Sequence, residues 1–200
     1  MADLKNAKMF GGIGTILMLV GTFVPMLGFI LPLIGFILVI LAVYYIAELT
    51  KDKSIFKNYL LSFILQIVAV VALVGIMAFS LGATIGFDFM ALYNTLQTEA
   101  GISDPTAVFG SLETLIGGCC LSVVVFWILM LISTLFLKKS FKSISDHTKV
   151  GLFGTTGLLY LIGAALLIIG IGAIILLIAE IMQIVAFFSL PDKIPAAAAK

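Results

Sequence analysis

Apolar residues run along this chain in stretches too long and too uniform for a soluble fold. Residues 9–48 and 150–190 are each about 40 residues of almost unbroken hydrophobic sequence. As one helix, either would reach about 60 Å, twice the roughly 30 Å of a bilayer's hydrocarbon core. Each must therefore fold back on itself. Pro25-Met26-Leu27-Gly28 and Gly170-Ile171-Gly172 supply the turn chemistry, proline by its fixed φ and glycine by its access to positive φ. The stretches 59–81 and 115–137 each suffice for one more crossing. The pattern predicts an all-α, polytopic membrane helical bundle forming a single membrane domain. Its six transmembrane helices make three hairpins, with spans near 9–26, 28–48, 59–81, 115–137, 151–169 and 172–190.

The segment 82–114 between the third and fourth spans has a different rhythm. Phe89, Leu92, Tyr93 and Leu96 recur at i, i+3, i+4 and i+7, which predicts an external amphipathic helix. Asp88 is its expected N-cap and Gly101 its stop, and Asp104-Pro105 is a second cap followed by proline at the first helical position. This helix is expected to lie on the outer interface and cap the bundle. A lid over a substrate path is the sharper alternative.

Charge fixes the orientation. All 11 basic residues are lysines, at positions 5, 8, 51, 53, 57, 138, 139, 142, 149, 193 and 200. With six spans they all fall on one face, and the other holds only Asp88, Glu99, Asp104 and Glu113. The positive-inside rule puts the lysine face, and with it both termini, in the cytoplasm, as expected of a multi-pass plasma-membrane protein. Composition agrees: 62% hydrophobic, 10% charged and a mean hydropathy of +1.30 leave too much apolar surface for anything but lipid to solvate. No basic patch has a nucleic-acid footprint. Lys5 and Lys8 before an apolar run resemble a signal peptide, but no small-residue cleavage site follows, so a first span is expected instead.

The lysine-side segments echo one another. Ile46-Ala47-Glu48-Leu49-Thr50-Lys51 aligns without a gap on Ile144-Ser145-Asp146-His147-Thr148-Lys149, and three spans start alike, at Phe10-Gly11-Gly12-Ile13-Gly14, Phe56-Lys57-Asn58 and Phe153-Gly154-Thr155-Thr156-Gly157. Three hairpins of the same orientation, related about the membrane normal, would produce such matches. Three stretches also carry a resemblance. They are Leu4-Lys5-Asn6-Ala7-Lys8 with its glycine-rich span, Ser54-Ile55-Phe56-Lys57-Asn58, and the closing stretch. The last runs from Thr148 through Gly157-Leu158-Leu159-Tyr160-Leu161-Ile162-Gly163 to Ala186-Phe187-Phe188-Ser189-Leu190-Pro191. Together they resemble a family of small, mainly archaeal six-span integral membrane proteins catalogued only as a domain of unknown function. The resemblance implies an archaeal plasma membrane and supplies no activity or site residue.

Glu180 stands near the middle of the last span, where an ionised carboxylate would cost at least ~2.5 kcal/mol. It is expected to face the bundle interior and to be protonated, hydrogen-bonded or next to water. Its candidate partners are Gln183, one turn on, and Gln66, Thr15, Tyr160 and Thr156 from other spans. Glu180, Gln183 and Gln66 thus form either an ion or proton site or an interhelical polar contact. The glycines read as packing positions. Gly14 and Gly21 share a face at a spacing of seven, and Gly154, Gly157 and Gly163 repeat the idea in the fifth span. Adjacent Cys119 and Cys120 lack zinc spacing and are expected as buried free thiols. His147 reads as a solvated loop residue. No Walker loop, dinucleotide fingerprint, HExxH or nucleophile elbow occurs, so neither enzyme activity, nor a metal, nor a cofactor is expected. The expected partners are the lipid bilayer and, through the glycine faces, other membrane-protein subunits or a second copy. The leading expectation is a non-catalytic accessory or scaffolding subunit; the alternative is a transporter or channel for protons, cations or a small solute using Glu180.

Overall fold

The computed structural model describes residues 4–24, 30–85 and 105–194, with side chains for 4–24, 30–82 and 116–194. Among these the regular structure is entirely helical: α1 (Leu4–Phe23), α2 (Ile30–Thr50), α3 (Lys53–Ile85), α4 (Pro105–Thr148), α5 (Gly151–Leu166) and α6 (Gly172–Phe188). Apolar stretches of α1 to α4, and Gly151–Ile169, are long and apolar enough to cross a membrane, five in all; α6, at 17 residues, is a shorter apolar helix. The expected turn around Pro25 and the amphipathic helix around Phe89 lie outside the described residues, as does Asp104. Pro105 opens α4, where its missing N–H costs nothing.

Helix and span are not the same thing here. Helix α4 runs for 44 residues, about 66 Å, well beyond any hydrocarbon core. Its last three turns carry Lys138, Lys139 and Lys142, which cannot lie in lipid, yet Leu137, Phe141, Ile144 and Thr148 keep one face buried. His147 therefore ends a helix and is not a loop residue, because the helical apolar period continues past the point where hydropathy falls.

Neighbouring helices run antiparallel, as the pairings show. A Cβ on Gly14 would lie 2.5 Å from the carbonyl of Gly35, and Gly21 faces Pro32, so α1 and α2 cross backbone to backbone. Ser133 on α4 donates to the Ser62 carbonyl of α3 at 2.9 Å, and Ser140 donates to the Ile55 carbonyl at 2.8 Å. Gly163 meets Leu176 across α5 and α6. Between those two, Leu167–Ile169 forms one 3₁₀ turn ended by Gly170 at φ 82°, a left-handed conformation that glycine adopts without steric cost.

The chain divides into two compact units, Met1–Leu65 with Met130–Lys200, and Gln66–Leu129. The first holds the core, which gathers at the lysine-bearing helix ends: Leu4, Ile46, Ile55, Phe141, Ile144, Phe153, Phe187 and Leu190 are all fully buried. A seam of rings crosses it. Phe36 stacks on Phe63 at 4.0 Å, Tyr59 on Phe141 at 6.4 Å, and Phe153 meets Phe141 and Phe187 edge-on at 5.7 and 5.1 Å. Each such pair adds about 0.5–1.5 kcal/mol beyond its buried area. Among its described residues the second unit is thinly packed. Val71, Phe79 and Ile116 are each more than 60% exposed, a surface that only lipid or another apolar body can cover. Cys119 and Cys120 belong to it and are free and exposed, which corrects the expectation of buried thiols: this part of α4 has few neighbours to cover them.

The two echoing segments share one geometry. Ile46 and Ile144 are fully buried, Thr50 and Thr148 each donate to the isoleucine carbonyl at 2.8 Å, and Lys51 and Lys149 follow at φ 56° and 61°. A new helix starts two residues later in both, at Lys53 and Gly151. Left-handed lysine costs roughly 1 kcal/mol relative to glycine. Lys51→Gly and Lys149→Gly are therefore each expected to stabilise the protein by up to about 1 kcal/mol, by similar amounts, in detergent unfolding monitored by circular dichroism. Two values of opposite sign would refute a shared corner.

Candidate functional site

The buried face of α6 carries Gly172, Ala179, Gln183, Ala186 and Phe187. Spacings of seven, four and three place small residues above and below Gln183, so helices approach closely there and the amide has no route to solvent. Gln183 is only 4% exposed. Its Nε2 donates to Thr15 Oγ1 of α1 at 3.1 Å, and its Oε1 accepts from the Tyr160 hydroxyl of α5 at 2.8 Å. Thr15, fully buried, donates its own hydroxyl to the Gly11 carbonyl at 2.8 Å. Three helices are thus joined by one directional chain, Tyr160 to Gln183 to Thr15 to Gly11. The chain terminates on a backbone carbonyl.

Glu180 lies beside this chain and not in it. At about 100° per residue it points some 60° away from Gln183 around α6, and it is half-buried at the edge of the interface. Its carboxyl is close enough to Tyr160 to act on it electrostatically. Among the described residues neither Glu180 nor Gln66 has a hydrogen-bond partner. Gln66 is half-buried on α3, and Thr156 spends its hydroxyl on the Leu152 carbonyl of its own helix at 2.7 Å. Of the partners the sequence suggests for Glu180, Thr15, Tyr160 and Gln183 do come together, with the amide at their centre in place of the acid. The signal for this was present in Ala179, Gln183 and Ala186, a polar residue framed by small ones at helical spacing.

The glycines divide by what surrounds them. Gly14 and Gly21 face α2, Gly157 lies with its missing Cβ 3.1 Å from the Lys138 backbone, and Gly163 would strike Leu176. Gly11 and Gly12 admit the rings of Phe187 and Phe188, an exchange of glycine for aromatic that seats α6 on α1. Gly154 is looser, 3.6 Å from the Ser145 hydroxyl. At the lysine end, His147 Nδ1 stands 4.0 Å from Asp52 and 2.8 Å from the Ser143 carbonyl. Among the described residues no group of three or more His, Cys, Asp or Glu side chains converges on a metal-sized site.

Comparison with known proteins adds two findings. A family model described as "Protein of unknown function (DUF996)" matches residues 31–181. The "Uncharacterized protein MJ1644" of Methanocaldococcus jannaschii is 35% identical over 192 residues, covering 96% of both chains. No solved structure matches.

Proposed function

Because the chain belongs to the protein family of unknown function DUF996, whose description assigns no activity, we propose a role from its own geometry. It is a six-span plasma-membrane protein with both termini in the cytoplasm, acting as a non-catalytic accessory or scaffolding subunit. The observation that carries this reading is the closed hydrogen-bond chain at Gln183. Its members bond to one another across three helices, which is how polar residues hold helices together in lipid. The orientation draws support from Asp52 and His147, 4.0 Å apart, which bring the two lysine-rich corners to one end of the first unit. Helix α6, at about 26 Å, lies at the short limit of a spanning helix and crosses with local thinning of the bilayer.

The test is native purification in mild detergent. A stable oligomer or a co-purifying membrane protein, present in stoichiometric amount, is the expected result; a lone monomer overturns the scaffold. Glu180 favours a second reading, proton or cation transport, since its half-buried carboxyl has no hydrogen-bond partner among the described residues. In reconstituted vesicles that reading requires proton or cation flux which Glu180→Gln abolishes while the melting temperature stays unchanged. Equal flux in both proteins, or none in the parent, removes it.

A further inference from the structure

The two lysine corners share a backbone but differ in what they hold. Between α2 and α3 lies a cavity of about 370 Å³ lined by Tyr44, Ala47, Glu48, Lys51, Lys53 and Phe56. That is within the roughly 300–1,000 Å³ of small-molecule sites. Tyr44 and Phe56 meet edge-on at 5.4 Å and form an apolar wall, and two lysines two residues apart line the same cavity. At the matching places of the α4–α5 corner the sequence has Lys142, Ser145, Asp146, Lys149, Gly151 and Gly154. There Gly151 stands for Lys53 and Gly154 for Phe56. Gly154 faces Ser145, whose hydroxyl lies 3.6 Å from where a Cβ would sit. In the α2–α3 corner an aromatic ring and a second lysine thus line the cavity where the other corner has two glycines.

We propose that the α2–α3 corner is a binding site for the phosphate of an anionic amphiphile. Lys51 and Lys53 take the phosphate, and Tyr44, Ala47 and Phe56 take the first methylenes of its apolar part. The chemistry follows from position. The lysines cannot enter hydrocarbon, so the cavity sits at the membrane–water boundary, with an apolar wall on one side and cations on the other. Basic pockets between membrane helices at that depth recognise anionic headgroups. Glu48 sets the selectivity: its carboxylate repels a bare dianion and accepts hydrogen bonds from the hydroxyls of a glycerol-like headgroup.

Native mass spectrometry of the full chain in neutral detergent, titrated with phosphatidylglycerol, phosphatidylcholine or inorganic phosphate, tests the site. Phosphatidylglycerol is expected to be retained over phosphatidylcholine. Lys51→Asn combined with Lys53→Gln should weaken it about thirtyfold, since each lysine near the surface contributes about 1 kcal/mol, or roughly fivefold. Asparagine is chosen because it tolerates the left-handed backbone at this position. Lys139→Gln with Lys142→Gln removes the same charge from exposed positions of the other corner and should change binding by less than about threefold. Equal weakening by both pairs would reduce the site to diffuse surface charge and overturn the proposal, as would failure to retain the lipid at all. Displacement by inorganic phosphate at the lipid's own concentration would overturn the amphiphile and leave a free anion as the ligand. Phe56→Ala keeps every charge and should still weaken the lipid; unchanged binding would count against the apolar wall.

Discussion

Gln183→Leu is expected to cost the folded bundle about 1–3 kcal/mol, measured by unfolding in mild detergent, although it places a more hydrophobic residue in a membrane helix. The reason is the asymmetry of the bonds it breaks. Thr15 keeps its acceptor in the Gly11 carbonyl and loses little. The Tyr160 hydroxyl donates to Gln183, and without the amide it is left as an unmet donor among apolar groups. Interhelical hydrogen bonds in membranes average only about 0.6 kcal/mol each, so most of the loss should come from the stranded tyrosine. Tyr160→Phe in the Gln183→Leu background should then recover part of it, making the double variant more stable than the sum of the single losses. Strict additivity would show that Tyr160 and Gln183 act separately. Glu180→Gln should leave stability within about 0.5 kcal/mol, because no described residue bonds to that carboxyl.

Gly172→Ala should be at least as damaging, for a steric reason. A Cβ there would run into the Gly163 carbonyl and into the backbone nitrogen and Cα of Leu167. Backbone cannot rotate away as the end of a side chain can, so α5 and α6 must separate, and overpacking of this kind costs about 1–3 kcal/mol or more. Gly14→Ala belongs to the same class, since its Cβ would sit 2.5 Å from the Gly35 carbonyl and 2.9 Å from both Leu38 and Val39. Gly154→Ala and Gly75→Ala should have the opposite sign. The first has its nearest atom at 3.6 Å and the second has none within 4 Å, so the helix gains alanine's propensity, up to about 1 kcal/mol, without a clash. Thermal unfolding of the four variants separates the cases. A uniform loss would mean that glycine acts here through something other than its missing side chain.

The glycine series also shows what spacing can and cannot convey. Seven-residue intervals place Gly14 and Gly21 on one face, and both do meet α2. Spacing alone does not separate Gly154, with room to spare, from Gly157, pressed against the Lys138 backbone, because that difference depends on how closely α4 approaches. Nor does spacing single out Gly11, Gly12 and Gly172. Two of these accept aromatic rings from a helix more than 170 residues away, a pairing no local pattern encodes.

The sequence by itself determined that the chain is helical and apolar enough to cross a membrane, since a backbone in lipid satisfies its own hydrogen bonds as a helix. It also determined where the chain turns at Gly170 and that two corners repeat, because both depend on residues close together in the chain. Only the tertiary structure decided that Gln183 and not Glu180 joins α1, α5 and α6. A single helix shows both residues as polar and central, and their roles separate by about 60° of rotation against neighbours contributed from distant segments. It likewise decided that the α2–α3 corner holds a cavity, for a cavity is the space left between helices and belongs to no one of them.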